Sequence, residues 1–491
     1  MKILLVYPEY PDTFWSFKHA LKFIRRKANN PPLGLLAVAA LLPKDWQLRM
    51  VDCNVGRLKD RDIAWADYVF LSAMNSQRDA VAILLDRCRR LGAKVVAGGP
   101  LFTADPQDYG RIDHLVLGEA EITLPRFLDD LRGGHPRHLY QADGWADMAA
   151  SPVPLLRLAK LKKYASMSLQ YSRGCPYNCD FCDITLLCGR VPRTKTALQV
   201  LHELDAIYRT GWREQVFFTD DNFIGNKARL KRDILPVIGR WMAKKRWPFT
   251  FMTQASVELA DDDELMALMV QAGFDSVFVG IETTDQGSLA ECGKLQNRGR
   301  DLMASVRRIQ QAGLLVTGGF IVGFDHDTGS IFDSQIRFIQ QSGITTAMVG
   351  LLQALPKTNL YHRLKRENRL TTISSGVNTD FTMNFTPTMN LQDLQSGYKR
   401  IVQTIYAPGN YYQRIKTFLR DYRPPRLQHP HLSMDRLFAF VRSIVVLGIW
   451  SKERRQYWGL FFWTIFTRPK LFPMAITLAI YGYHFRRIFE C

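Results

Sequence analysis

The sequence predicts an α/β protein in three parts. A doubly wound parallel sheet stands at the N-terminus, an open partial barrel of six βα units follows, and the C-terminal region is helical. Three observations predict it. Short β-branched runs alternate with helical stretches through residues 1–145, six further strand candidates recur at steady intervals from 168 to 356, and beyond 371 the composition shifts to aromatic and basic helices. Such alternation implies parallel sheets with crossover helices. A chain of 491 residues, 47% of them apolar, is long enough for two or three domains with substantial cores. The net charge of +19 asks for an anionic partner: nucleic acid, phosphate-bearing ligands or an anionic membrane surface.

The first domain is expected over residues 1–145. MKILLVYPEYP is a strand followed by Pro and acid, unlike the long apolar region of a signal peptide, so the chain is expected in the cytoplasm. KILLVYP (2–8), QLRMVDCN (47–54), YVFLSAM (68–74), AKVVAGG (93–99) and HLVLGEAE (114–121) read as strands; LGLLAVAALLP (33–43) and VAILLDRCRRLG (81–92) read as helices. Ligands of such sheets sit outside the carboxyl ends of the strands, where Ser72, Gly98-Gly99 and Gly118-Glu119 fall. The glycines also suit plain tight turns. Phe14, Phe17, Leu21 and Ile24 recur at helical spacing, which predicts a helix packed on the sheet.

A Pro-punctuated linker over 146–165 leads to the expected barrel at 166–370. Its strands are SLQYS (168–172), EQVFFTD (214–220), FTFMTQA (249–255), SVFVGIE (276–282), VTGGFIVGF (316–324) and TAMVGLLQALP (346–356). Chemistry in such barrels gathers at the carboxyl ends of the strands. Directly after the first strand comes YSRGCPYNCDFCDIT, with Cys175, Cys179 and Cys182 in a C-x3-C-x2-C pattern. Three thiolates so spaced can hold three irons of a four-iron cube and leave the fourth open to an outside ligand. Phe181 would serve as an apolar lid. The competing reading is a zinc site closed by Cys188, although C-x5-C spacing is uncommon there. A disulfide does not suit a chain without a secretory signal, and Cys53, Cys88, Cys292 and Cys491 are scattered.

The cysteine loop resembles the signature of the radical S-adenosylmethionine (SAM) enzymes. With the preceding domain and its GGP and GEAE elements, the chain resembles the cobalamin-dependent members, whose first domain is Rossmann-like. The stretch 11–34 is similar to the N-terminus of the subfamily containing the hopanoid C-2 methylases. The resemblance implies a [4Fe-4S] cluster on Cys175, Cys179 and Cys182, with SAM on the open iron and reductive cleavage of SAM to a 5′-deoxyadenosyl radical. It implies SAM contacts at Asp221, Glu282, Gly319 and Gly323, and cobalamin contacts at Ser72, Gly98, Gly99, Gly118 and Glu119. The G-x-I-x-G motif expects an acid three residues past its last Gly; here His326 stands there, with Asp325 one early. No D-x-H-x-x-G segment occurs, and neither His19 nor His114 is placed to ligate cobalt from below. The implied partners are an apolar lipid substrate and a reductant protein such as flavodoxin or ferredoxin.

In the expected C-terminal region, 371–491, NTDFTMNFTPTMN (378–390) is polar and aromatic, and 391–422 reads as two helices broken at Pro408-Gly409. Pro424-Pro425 marks a boundary. IVVLGIW (444–450), YWGLFFWTIF (457–466) and LFPMAITLAIYGYHF (471–485), the last interrupted by Pro473, are apolar. None reaches the ~20 residues of a spanning helix. Two placements fit them: helices lying in a membrane interface, or a cap over the barrel mouth. The function expected is an enzyme, a radical SAM C-methyltransferase acting on an unactivated carbon of a hopanoid- or isoprenoid-like substrate. The alternative is a radical oxidoreductase or cyclase acting on a tetrapyrrole. A tRNA modifier is disfavoured by the absence of an appended RNA-binding barrel, and a non-catalytic carrier would not need six strands with polar ends.

Overall fold

The protein is seen in a computed structural model that describes residues 1–377, 379–424 and 434–489. Asn378, Pro425 and Cys491 lie outside the described residues. The first domain holds six parallel strands, β1 (Lys2–Tyr7), β2 (Gln47–Asp52), β3 (Tyr68–Ser72), β4 (Lys94–Gly98), β5 (His114–Val116) and β6 (Leu139–Tyr140), in the order β2-β1-β3-β4-β5-β6. Apolar side chains on both faces of the sheet form separate clusters, one against α2 (Arg78–Arg90) and one against α1 (Leu33–Leu41) and α3 (Ala120–Arg132). This two-sided burial explains the near-continuous apolar strands. The expected strand 114–121 is shorter than its sequence suggests. It stops at Val116, Gly118 turns at φ 75°, and Glu119 opens α3.

The second sheet is the expected partial barrel. β7 (Met167–Leu169), β10 (Gln215–Phe218), β11 (Thr250–Ala255), β12 (Phe274–Glu282), β13 (Leu315–Val322) and β14 (Ala347–Leu351) pair in parallel and in sequence order. Helices α4 (Ala197–Arg209), α5 (Leu235–Lys244), α6 (Asp263–Ala272), α7 (Leu302–Gln311) and α8 (Ile331–Ser342) alternate with the strands. Expected strand 168–172 is split. Its end, β8 (Ser172–Arg173), leaves the barrel and pairs antiparallel with β9 (Arg193–Thr194), so that a two-residue hairpin ladder encloses the cysteine loop.

One expectation is corrected here, and one of the two placements open to the C-terminal helices is removed. The stretch 14–24 is not one helix on the first sheet. Phe17 and Arg25 take left-handed φ of 47° and 55° and break it into short turns. It enters the open side of the barrel instead. The Trp15 ring meets Phe278 edge-on at 5.4 Å and its Nε1 lies 3.0 Å from Met348 Sδ, while Asn30 donates to the Met167 carbonyl at 3.4 Å. The C-terminal helices do not cap the barrel mouth either. α9 (Leu391–Tyr406) runs along the edge of β14, Tyr406 Oη donating to the Ala347 carbonyl at 2.7 Å. α10 (Pro408–Asp421) lies beneath the amino ends of the strands, and just past its end Tyr422 Oη donates to the Gly313 carbonyl at 3.0 Å. α11 (Met434–Ser443), continued by wide π-turns to Trp450, then α12 (Arg454–Thr467) and α13 (Phe472–Ile488), complete this lower layer. α13 backs the plug: Phe485 stacks on Phe14 at 4.4 Å, and buried His484, lowered to about 4 by desolvation, contacts the Phe14 carbonyl. Pro473 sits in the first turn of α13 and does not interrupt it. Among the described residues, no helix is long and apolar enough to cross a membrane.

Candidate active site

The cysteine loop is held from both sides. Asp220, buried at the end of β10, accepts from Tyr171 N at 3.0 Å, Ser172 Oγ at 2.5 Å and Ser172 N, so it fixes the exit of the first barrel strand. Burial pushes its carboxyl up to about 6. Gly174 takes φ 99°, and a Cβ there would come within 2.7 Å of the Val191 carbonyl. Cys175 N donates to Gly189 O at 3.1 Å and Cys182 N to Cys179 O at 3.1 Å. Phe181 packs into an apolar cluster with Phe324 at 6.2 Å, which anchors the loop. Burial raises all three thiols, so deprotonation needs a compensating positive group.

Lys294 supplies one such charge, and sequence reasoning missed it. The turn from Leu289 to Asn297 folds over the cysteine loop, where Asp180 N donates to the Cys292 carbonyl at 2.9 Å. Buried Lys294 Nζ lies 2.7 Å from Glu282 Oε1. Burial opposes its charge, but Glu282 and the thiols of Cys179 and Cys182 outweigh it and raise its pKa. Gln296 Nε2 stands 4.0 Å from Cys179 Sγ, and its Oε1 is buried without a partner. The arrangement fits a cube better than a single ion. No three His, Cys, Asp or Glu among the described residues converge on one metal ion, whereas the thiolates of a cube bind different irons and stand apart. Cys188 does not join the trio; the charges acting most on its thiol are Asp221, Glu119, Arg173 and Arg193.

The other strand ends surround this loop. The Asp221 carboxylate makes no hydrogen bond to another described side chain, and burial, with Asp220 and Asp183 nearby, raises it to about 7. A half-buried carboxylate with no side-chain partner is suited to receive an ammonium group. Glu282 takes φ 64° at an irregular step between β12 and β13, and Lys294 already occupies its side chain. Gly319 faces the lumen, where a Cβ would meet the Phe278 ring at 2.7 Å. Gly323 turns at φ 106° and donates to Asp327 Oδ2 at 2.8 Å. Asp327, four residues past the motif's last Gly, is thus the acid that closes this turn, also taking Ser288 Oγ at 2.8 Å. Asp325 pairs with Arg363 and Arg369, and His326 lies exposed against Glu291. Gln254 lies on the half-buried lumen face of β11, while Gln353 donates to the Thr382 carbonyl and holds the segment after β14.

The carboxyl ends of the first sheet face the same loop. A Cβ on Gly98 would lie 2.5 Å from the Val116 carbonyl, and one on Gly99, at φ 92°, would lie 2.5 Å from Ser72 Oγ. Gly118 differs: at φ 75° it has open space around its missing Cβ, a cradle for a planar ligand edge. Glu119 is bound by Arg193 at 2.6 and 2.8 Å, and neighbouring Glu121 by Arg173 at 2.8 and 3.0 Å. Both arginines belong to the β8–β9 hairpin, so these pairs fasten the first domain to the cysteine loop. His114 opens β5 at the opposite end of the strand, its ring against the Arg137 carbonyl.

Comparison with known proteins agrees with this geometry. Residues 169–339 match the radical SAM superfamily, 23–128 match a B12 binding domain, and 358–491 match a domain of unknown function. An uncharacterized methyltransferase of Synechocystis is 42% identical over 99% of this chain and 91% of its own. The hopanoid C-2 methylase of Rhodopseudomonas palustris is 39% identical over 75% of this chain and 71% of its own. In structure, the chain is similar to the radical SAM methyltransferase TsrM of Kitasatospora setae, solved with cobalamin and a [4Fe-4S] cluster. The TM-score is 0.65 at 15% identity, covering 94% of this chain and 98% of that one.

Proposed function

The chain belongs to the cobalamin-dependent radical SAM methyltransferases, and from that membership we propose that it methylates an unactivated carbon of a hopanoid- or isoprenoid-like lipid. The observation that carries the substrate class is the 39% identity to a hopanoid C-2 methylase. The lumen supports it. Met252 on the half-buried face of β11, Phe278, Met348 and the Trp15 plug make an apolar wall beneath the polar strand ends.

The enzyme uses a [4Fe-4S] cluster, SAM and cobalamin, which supply radical hydrogen abstraction and methyl donation. In this reading Cys175, Cys179 and Cys182 hold the cluster, and Asp221 takes the SAM ammonium group. Glu282, fixed by Lys294, borders the same space, and Gly319 and Gly323 leave room for a flat base. Ser72, Gly98, Gly99 and Gly118 line the cobalamin edge, while Glu119 clamps the two domains. Apolar walls exclude water from a step that radical intermediates would otherwise lose to solvent. A reductant such as flavodoxin or ferredoxin serves the cluster, and the protein works at the inner face of a membrane, where such a lipid lies.

Anaerobic reconstitution with iron, sulfide and cobalamin tests the reading. Deoxyadenosine and a methylated lipid are expected from an expressing host. Cys179→Ala abolishes both products and leaves cobalamin bound. A product of unchanged carbon count would favour the oxidoreductase or cyclase instead.

A further inference from the structure

The lower layer leaves an outward face that its own packing does not use. α11, its π-turn continuation and α12 bury Ala439, Leu447, Tyr457, Leu460 and Thr464. They are locked to α13 by Phe472, which lies 5.8 Å from Phe440 and 5.0 Å from Phe461. Their opposite sides are apolar as well. Leu437 and Val441 share one exposed stripe of α11, and Phe462 and Phe466 share one of α12. Trp450 is 77% exposed and Phe466 81%. Trp458, stacked on Phe462 at 5.7 Å and donating to the Gly448 carbonyl at 3.0 Å, joins the two stripes at the turn carrying Ile449 and Trp450. Exposed aromatics this contiguous mark an interaction surface.

Charge selects the partner. Lys452, Arg454, Arg455 and Lys470 are exposed beside the aromatics and have no carboxylate within ion-pair reach among the described residues. The two acids of these helices are spent internally, Asp435 on Arg26 and Glu453 on Arg486. Trp and Phe set among unpaired bases suit the boundary between headgroups and acyl chains of an anionic bilayer.

We infer that the α11–α12 face docks the protein peripherally on an anionic lipid surface, with Trp450 and Phe466 entering the boundary region. The docking deepens the proposed function, which it explains by bringing the enzyme to its substrate, yet it is measured without substrate. It also sets orientation, since this face lies beneath the amino ends of the barrel strands and the cluster loop lies at their carboxyl ends.

Full-length protein is sedimented with phosphatidylcholine vesicles, with and without phosphatidylglycerol. Wild type is expected to bind the anionic vesicles and to lose binding as salt rises. The Trp450→Ser/Phe466→Ser protein should bind them at least about tenfold more weakly. Lys452→Gln/Arg454→Gln/Arg455→Gln should lose the preference for anionic lipid. Unchanged circular dichroism and iron content guard against misfolding, and Trp450→Gln alone serves if the double variant fails that check. Equal binding by wild type and the aromatic variants overturns the inference. So does a lipid-independent dimer abolished by the same substitutions, which would make the face a contact between copies. Methylation of detergent-solubilised lipid separates the two claims: wild type and Trp450→Ser should both carry it out, and its absence in wild type would sink the lipid reading, whatever the vesicles show.

Discussion

Lys294 shows what one buried cation can do beside three thiols. Its ammonium group sits against Glu282 and is coupled electrostatically to Cys179 and Cys182, so it should favour the more negative, reduced state of the cluster. Lys294→Met is expected to lower the cluster's midpoint potential by tens of millivolts in an EPR-monitored titration, with Lys294→Arg restoring most of it. An unchanged potential would remove that role. Asp221 predicts a pH effect. Its folded pKa is about 7 against an ordinary 3.8, so between those values the folded protein keeps a proton that the unfolded chain releases. Its contribution therefore falls as pH rises from about 4 to 7. Cofactor-free Asp221→Asn should lose that slope in urea unfolding curves. The cysteines were legible because their spacing is local. Lys294 was not, because its role depends on a turn more than a hundred residues away folding over them, and Asp327 was missed because the acid closing the Gly323 turn stands one residue beyond the expected place.

At the scale of elements, the barrel strands were readable because parallel strands buried on their outer face are apolar runs, and turn residues separate them. The plug was not. Phe14, Phe17, Leu21 and Ile24 keep a helical period, but left-handed Phe17 and Arg25 cost a helix more than the pattern gains. What pays for them is packing: Phe17 meets Tyr481 at 5.0 Å and His484 at 5.3 Å. Trp15→Ala should destabilise the protein by about 3 kcal/mol, since it empties space against Phe278 and Met348. Chemical denaturation measures it, and a loss under half that size would mean the lumen closes over the gap. Helix α3 escaped notice because the strand reading runs on through GEAE, while the actual break is the positive φ of Gly118, after which Glu119 caps the helix.

Across the whole molecule, the two sheets present their carboxyl ends to the same space, and the Glu119–Arg193 and Glu121–Arg173 pairs keep them facing. The sequence gives the order of the domains, but these clamps join residues 52 and 74 apart that no local pattern connects. Arg193→Met takes the two-pronged partner from the buried Glu119 carboxylate and leaves it the Ala146 N–H and Arg173 at 3.6 Å, at a cost of about 2 kcal/mol. Cobalamin should then bind more weakly while iron loading persists, and limited proteolysis should cut the linker faster. Equal cobalamin affinity in the variant would show the clamp to be dispensable.

The Phe14–Asn30 plug finally bears on how the chain is born. The backbone of His19 meets His484 across 465 residues, which at about 5–20 residues per second is roughly 20–90 s of translation. During that interval the nascent barrel is missing its seam. A truncated message ending before residue 472 should therefore yield a chain whose aromatic N-terminal stretch is left for chaperones to shield.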